Sequence, residues 1–204
     1  MKAMKIEVSK SRIKLKKELN DLDRFVIDFV KVLDRNKIKY VLVSGYVSII
    51  FGRSRSSEDI DIIIKKMSKK RFSVLWKELS KRNFECIIPD NFESAYDKYL
   101  MKHTSIRFSR KDQPIPNMEF MFPKAEDLDN WVLKNGKQVL LNRHVLKISP
   151  IELQIAYKLF LASEKDIEDA RHLYQLFKEN LNRKLLAQFL LKLDKKGMFN
   201  RYLA

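Results

Sequence analysis

The sequence predicts an α+β fold, in which an α/β module is followed by a module built of helices alone. Short apolar runs rich in β-branched residues, at 40–43 and 60–64, alternate with segments whose apolar positions recur every three or four residues. The alternation stops at Ser149-Pro150, where a hydroxyl cap and a proline at the first helical position predict a helix start. We therefore predict an α/β module with an N-terminal helix over residues 1–148 and a C-terminal helical module over residues 149–204.

Composition limits the classes of function. The 204 residues are 45% hydrophobic and include a single cysteine, Cys86, so a folded protein without a disulfide framework is expected, in the reducing cytoplasm. No apolar run approaches the roughly 20 residues that span a bilayer, so no membrane partner is expected. The formal net charge of +16 favours a polyanionic partner such as a nucleoside triphosphate, RNA or DNA. The alternative is a lysine-rich composition without functional meaning.

The individual elements follow from the same periodicities. Apolar positions spaced by three and four predict a long helix over residues 9–36, capped by Ser9 or Ser11. The remaining expected helices are 46–51, 68–82, a short one within 92–100, 125–134, 150–163, 165–179 and 183–195, with Asn180 and Gly197 as stops. The remaining expected strands are 40–43, 59–64, 84–88, 104–108, 115–122, 137–141 and 144–148.

Residues 40–64 carry the strongest chemical signal. An apolar strand is interrupted by Ser44-Gly45, and after a short helix the next strand contains Asp59 and Asp61. Side chains of a strand alternate between its two faces, so both carboxylates point to the same side. Two carboxylates this close repel each other, and a divalent cation such as magnesium is a common way to stabilise them. The turn at Gly45 offers helix N-terminal amides that bind phosphate.

This stretch resembles the nucleotidyltransferase superfamily of the DNA polymerase β type. The resemblance rests on the Ser44-Gly45 turn and on Asp59-Ile60-Asp61 in the next strand, preceded by Arg55 and Ser57 as in minimal bacterial and archaeal members. Many members have glycine first in the turn, whereas here serine comes first.

The resemblance implies a mixed sheet flanked by helices and a nucleoside triphosphate as substrate. It also implies two Mg²⁺ ions, with Mn²⁺ as the alternative, held by Asp59 and Asp61. The residues that it implies for nucleotide binding in this stretch are Ser44, Gly45, Arg53, Arg55 and Ser57.

Glu119 is the candidate for a third carboxylate. A lone acid in a strand more often faces solvent than takes part in catalysis. Members of the superfamily, however, carry a third carboxylate on a later strand, and Glu119 lies within the apolar run at 118–122. The resemblance implies that it completes metal binding and activates the acceptor hydroxyl, although most members use aspartate there. Asp112, Glu126, Asp127 and Asp129 are interpreted as ordinary turn and helix-start acids.

A second segment, residues 158–170, resembles nucleotidyltransferase toxins of abortive-infection toxin–antitoxin systems. In that group a lysine at the place of Lys158 binds the triphosphate and an aspartate at the place of Asp166 supports the site. The alternative is a lysine that extends along an amphipathic helix, followed by capping acids. Ser163-Glu164 stand where the group usually has arginine.

Together these observations predict a metal-dependent nucleotidyltransferase. It would move a nucleoside monophosphate from NTP to an acceptor hydroxyl and release pyrophosphate. An RNA end, in particular of tRNA, is the favoured acceptor, with a protein or a small molecule as alternatives. A toxin role with an antitoxin partner follows from the second resemblance. The alternative from another class is an inactive nucleotidyltransferase-like module that binds nucleic acid or nucleotide.

Overall fold

A mixed β-sheet lies at the centre of the protein. The computed structural model describes residues 4–9, 12–124 and 126–203. Its strands are β1 (Lys5–Val8), β2 (Arg12–Lys16), β3 (Tyr40–Leu42), β4 (Asp59–Ile64), β5 (Phe84–Ile88), β6 (Ile106–Arg110), β7 (Gln113–Met121), β8 (Lys137–Leu141) and β9 (His144–Ile148). Its α-helices are α1 (Asp21–Arg35), α2 (Gly45–Ile50), α3 (Lys69–Ser80), α4 (Glu126–Asn135), α5 (Ile151–Leu161), α6 (Glu164–Phe177), α7 (Arg183–Lys192) and α8 (Lys196–Tyr202). The predicted α+β class, a mixed sheet flanked by helices with helices at the C-terminus, is confirmed.

The strand order brings together elements that are far apart in the chain. The described strands form one sheet in the order β1-β2-β8-β9-β3-β4-β7-β6-β5. Three neighbouring pairs, β2 with β8, β3 with β9 and β4 with β7, are parallel, and the other pairs are antiparallel. The β4–β7 pair matters most for function because it places the strand with the two aspartates beside the strand with Glu119.

Aromatic packing holds α1 against the sheet. Phe29 is completely buried, and its ring centroid lies 5.1 Å from that of Phe84 and 5.9 Å from that of Phe108. Phe25 packs edge-on against Phe84 at 5.6 Å. Rings at these separations contribute beyond the area that they bury.

The N-terminal part of the predicted long helix is wrong, because residues 12–16 form a strand. In β2 the buried Ile13 and Leu15 alternate with exposed cations, which is the period of a half-buried strand. Helix α1 begins instead at Asp21, where Asn20 accepts a hydrogen bond from the Asp23 amide in a capping box. Ser9 Oγ bonds to the backbone of Arg12 and caps no helix, and Ser11 lies outside the described residues.

Most of the later elements match the expectations within two or three residues. The segment within 92–100 is a π-helical turn at Ser94–Tyr99 followed by a 3₁₀ turn at Leu100–Lys102, not an α-helix. Gly197 does not end the helical module, because it lies inside α8. Packing outweighs the low helix propensity of glycine there, since Phe199 lies edge-on to Tyr174 at 5.3 Å. The division at residues 148 and 149 stays a prediction.

No helix among the described residues combines the length and apolar character needed to cross a membrane.

The aromatic cluster under α1 predicts a stability difference between two truncations. Phe29→Ala should lower the free energy of unfolding by about 3–5 kcal/mol, since it opens a cavity in the core. Val74→Ala, at a helix position 52% exposed, should change it by about 0.5 kcal/mol or less. Urea denaturation followed by circular dichroism measures both values, and equal losses would show that Phe29 does not anchor the core.

Candidate active site

Three carboxylates predicted from the sequence lie together on one face of the sheet. In the parallel pairing of β4 with β7, Asp61 is opposite Glu119 and Asp59 is opposite Asn117. Paired residues of neighbouring strands share a face, so Asp59, Asp61 and Glu119 project on the same side. Ile60 and Ile62 point the other way and are completely buried. The strand therefore divides its side chains between the core and the site.

Neighbouring polar side chains hold two of the carboxylates. Asn117 Nδ2 donates to Asp59 Oδ1 at 2.7 Å, and Ser105 Oγ donates to Glu119 Oε1 at 2.5 Å. Arg107 Nη2 lies 3.8 Å from Asp59 Oδ2 and 3.6 Å from Glu119 Oε2. Sequence reasoning missed these three partners. Their contacts depend on the pairing of β7 with β4 and β6, which places Asn117 opposite Asp59 and Arg107 opposite Glu119.

The site disfavours the charged form of Asp61. Burial raises the pKa of Asp61 to about 6, and the negative charges of Glu119 and Asp59 add to the effect. A hydrogen bond with Ser44 and the charge of Lys158 act in the opposite direction. The cluster formed by the carboxylates of Asp59, Asp61 and Glu119 therefore attracts a cation.

The residues present fit a magnesium site that keeps water and substrate oxygens as further ligands. Mg²⁺ prefers oxygen ligands and is usually bound through one or two carboxylates plus substrate phosphates. Within the described part of the chain, no group of three histidine, cysteine or acidic side chains is arranged as a ready-made metal cluster. The guanidinium of Arg107 lies within 4 Å of Asp59 and Glu119 and supplies positive charge there.

The turn at Ser44 and Gly45 lies beside the carboxylates and is held from the C-terminal helices. Ser44 has φ 59° and ψ −135°, an unusual conformation for a residue with a side chain. Gln154 Nε2 of α5 donates to the Ser44 carbonyl at 2.6 Å, and Ser149 Oγ donates to Gln154 Oε1 at 2.6 Å. A Cβ atom on Gly45 would lie 2.1 Å from Arg55 Nη2, so the glycine makes room for this guanidinium. Gln154 has no recognisable signal in the sequence.

A buried cluster of charges lies on the helical side of the site. Lys158 Nζ, with its side chain 3% exposed, contacts Asp166 Oδ1 at 2.6 Å and Asp169 Oδ2 at 3.0 Å. Asp169 is completely buried, and Arg55 Nη2 and Arg53 Nε approach it to 3.2 and 3.8 Å. Lysine is almost never buried without a partner, so Lys158 is not an ordinary surface lysine of an amphipathic helix. Asp169 had not been predicted as a site residue.

Asp166 remains charged in this cluster. Its burial raises the pKa, but hydrogen bonds from Lys158 and Ser163 and the charge of Lys158 outweigh that effect and lower the pKa overall. Ser163 also caps α6 by accepting from the Asp166 amide.

Ser57, Asp112 and Asp129 each take part in a hydrogen bond that involves a backbone group. Ser57 Oγ donates to the Asp59 carbonyl at 2.9 Å and so fixes the loop before β4. The Asp112 amide bonds to Glu85 next to the β6–β7 turn, and Asp129 accepts from the Lys124 amide at 2.6 Å. The side chains of residues 126 and 127 lie outside the described part of the structure.

The fold has counterparts among solved structures. An antigenic nucleotidyltransferase-like protein from Paracoccidioides brasiliensis shares 17% identity over 91% of this chain and 94% of its own, with a TM-score of 0.55. The antibiotic-resistance factor ANT(2'')-Ia, in complex with adenylyl-2''-tobramycin, shares 13% identity over 83% and 97%, with a TM-score of 0.51. The fold is nucleotidyltransferase-like. No protein-family model and no curated protein sequence matches the chain.

Asp61 predicts a pH-dependent stability. The Asp61 carboxyl group binds its proton more tightly in the folded chain than in the unfolded chain, because the pKa of Asp61 is about 6 instead of 3.8. Its charge therefore destabilises the fold progressively as the pH rises from about 4 to about 6, by at most about 3 kcal/mol. Relative to Asp61→Asn, the free energy of unfolding of the wild type should fall by up to that amount between pH 4 and pH 7 in metal-free buffer.

Urea denaturation across this pH range measures the difference. Asp90→Asn, at an exposed position, serves as the control and should run parallel to the wild type. A constant difference between wild type and Asp61→Asn at all pH values would contradict the raised pKa.

Proposed function

We propose that this protein is a metal-dependent nucleotidyltransferase that moves a nucleoside monophosphate from NTP to an acceptor hydroxyl. The observation that carries the proposal is the shared face of Asp59, Asp61 and Glu119, next to the Ser44-Gly45 turn. The nucleotidyltransferase-like fold supports the same class of reaction.

The carboxylates of Asp59, Asp61 and Glu119 would hold Mg²⁺, with Mn²⁺ as the alternative. When bound, the metal would supply positive charge for the attacking and leaving oxygens of an in-line displacement. The three acids contribute the oxygen ligands that such a cation prefers, and Asn117 and Ser105 keep Asp59 and Glu119 in place.

The reaction uses residues on both sides of the site. Glu119 accepts the proton of the acceptor hydroxyl, whose oxygen then forms a bond to the α-phosphorus while the bond to pyrophosphate breaks. Ser44 and the Gly45 amide bind the terminal phosphates at the start of α2. Arg53, Arg55 and Lys158 stabilise the negative charge that develops on pyrophosphate.

The favoured acceptor is an RNA end, such as that of tRNA. The net charge of +16 supports a polyanionic acceptor. A small-molecule hydroxyl is the alternative, since ANT(2'')-Ia was solved with an adenylylated tobramycin. The toxin role rests on the resemblance of residues 158–170 and predicts a small antitoxin encoded next to this chain.

One observation favours a second function, that of a non-catalytic nucleotide-binding or nucleic-acid-binding module. Arg107 already places a protein cation within 4 Å of Asp59 and Glu119, where a catalytic cation would be expected. Such a module would bind nucleotide without transferring it.

Removal of the aspartates separates the two functions. Asp59→Asn with Asp61→Asn should reduce transfer from α-³²P-labelled NTP to total cellular RNA at least about 1000-fold, since the metal ligands and their charge are lost. The wild type and the exposed control Asp90→Asn should label RNA equally. If a folded double variant still transfers the label, the proposed mechanism is wrong. If the wild type transfers no label to RNA, protein or small hydroxyl compounds, the binding module is favoured.

The variant Gly45→Ala tests whether the turn at Ser44 and Gly45 binds phosphate. Gly45→Ala should push the Arg55 guanidinium away, because the new Cβ would lie 2.1 Å from Nη2. The KM for NTP should rise about tenfold, equivalent to about 1.4 kcal/mol of lost binding. In Gly197→Ala the Cβ meets no atom within 4 Å, so this control should leave the KM unchanged. An unchanged KM in Gly45→Ala would remove the turn from the nucleotide site.

A further inference from the structure

A groove at the far edge of the sheet carries positive charge that the active site does not use. It lies between the β1–β2 ribbon and the tip of the β8–β9 hairpin and has a volume of about 1040 Å³. Lys5, Lys16 and Arg143 line it and are exposed, and Glu18 is the acid in its lining. We call this the hairpin groove. Its size exceeds that of a single phosphate group.

The two lysines face each other across neighbouring strands. Lys5 is paired with Lys16 in the antiparallel β1–β2 ladder, and like charges directly opposite destabilise a strand pair. The next pair on the same face of the ladder, Glu7 and Lys14, combines opposite charges, and Lys14 Nζ contacts Glu7 Oε2 at 3.3 Å. Within the described part of the chain, neither Lys5, Lys16 nor Arg143 forms an ion pair. An anion in the groove would relieve this repulsion.

The walls of the hairpin groove are fixed to each other. Asn142 Nδ2 donates to the Lys17 carbonyl at 3.0 Å, and the Asn142 amide donates to the Leu15 carbonyl at 2.7 Å. Lys17 itself is neutralised by the buried Asp23 at 2.9 Å. The hairpin tip that carries Arg143 is therefore held beside the end of β2, so Arg143 is already positioned near Lys16 before a ligand binds.

His144, which also lines the hairpin groove, lies near positive charge. Burial lowers the pKa of His144, and the charges of Lys31 and Arg143 lower it further, against an opposing effect of Asp28. Positive charge at the tip of the hairpin is therefore only partly compensated by nearby acids.

The hairpin groove is too far from the carboxylates to bind the reacting triphosphate. Strands β2 and β4 are four neighbours apart in the sheet, which corresponds to about 19 Å at the usual strand spacing. In addition, His144 lies at the end of β9 opposite to Ile148, the residue beside Leu42 near the Ser44 turn. A ligand that reaches both places must span this distance, and the positive charge of the groove favours a polyanion.

We infer that the hairpin groove binds the phosphate backbone of a polynucleotide acceptor, whose end lies at Asp59, Asp61 and Glu119. The inference rests on the proposed function for the position of that end, but the binding itself requires no catalysis. Lysine and arginine side chains that contact phosphates bind without sequence preference and strongly depend on salt.

The test measures binding of RNA without NTP or metal. Fluorescence anisotropy of a labelled tRNA should give a dissociation constant that rises at least about tenfold in Lys5→Ala/Lys16→Ala/Arg143→Ala, and the slope of log K against log salt should decrease by about 2 to 3. The control Lys66→Ala/Lys70→Ala/Lys77→Ala removes the same charge at exposed positions outside the groove and should change binding less than twofold.

Acetylation of lysines by an amine-reactive reagent, followed by mass spectrometry, gives a second measurement on the unaltered chain. Bound tRNA should protect Lys5 and Lys16 but not Lys70. Equal losses of tRNA affinity in both triple variants, or groove lysines that tRNA does not protect, would overturn the inference. Binding of the groove to anionic lipid vesicles or to acidic protein, but not to tRNA, would also overturn it.

The two proposals fail in different ways. If the groove binds tRNA and no acceptor is labelled, the proposed transfer is wrong and the groove remains a polynucleotide site. If a small molecule is labelled and tRNA does not bind, the transferase stands and the hairpin groove is not a polynucleotide site.

Discussion

The parallel pairing of β4 with β7 is the constraint on which the rest of the site depends. It sets Asp61 opposite Glu119 on the face of the site, while Ile60 and Ile62 are buried on the other face. A shift of this pairing by one residue would turn the apolar face outward, so core packing fixes the register and thereby the positions of the carboxylates. Burial, together with the charges of Glu119 and Asp59, raises the pKa of Asp61, and the cluster of carboxylates creates the demand for positive charge.

The positive charge comes from two directions. Arg107 reaches the carboxylates from the neighbouring strand, and Lys158 approaches from α5, where Asp166 and Asp169 fix its ammonium group. Gln154 on the same helix holds the Ser44 turn. One face of α5 thus supports both the turn and the charge cluster, and a displacement of this helix would disturb the phosphate side and the carboxylate side together.

Local patterns predicted the parts of this arrangement that depend on local geometry. The alternation of β4 was sufficient to place Asp59 and Asp61 on one face, and the resemblance to the nucleotidyltransferase superfamily, together with the order of elements, led to Glu119. The neighbours Asn117, Ser105 and Arg107 depend on long-range register, which no local pattern contains. The same limit explains the N-terminus, where β2 pairs in parallel with β8 more than a hundred residues later and overrides a helical spacing of apolar residues.

The distribution of cations explains how a strongly basic protein contains a carboxylate site. Arg53, Arg55, Arg107 and Lys158 each lie within 4 Å of an acid, so their charges are largely compensated locally. Lys5, Lys16 and Arg143 of the hairpin groove have no such partners within the described residues, and they contribute to the long-range field of the molecule. Attraction of a polyanion and the chemistry at the carboxylates therefore depend on different side chains. Because β2, which carries Lys16, lies about 19 Å from β4, which carries Asp59 and Asp61, each set can be altered while the local charge balance of the other is preserved.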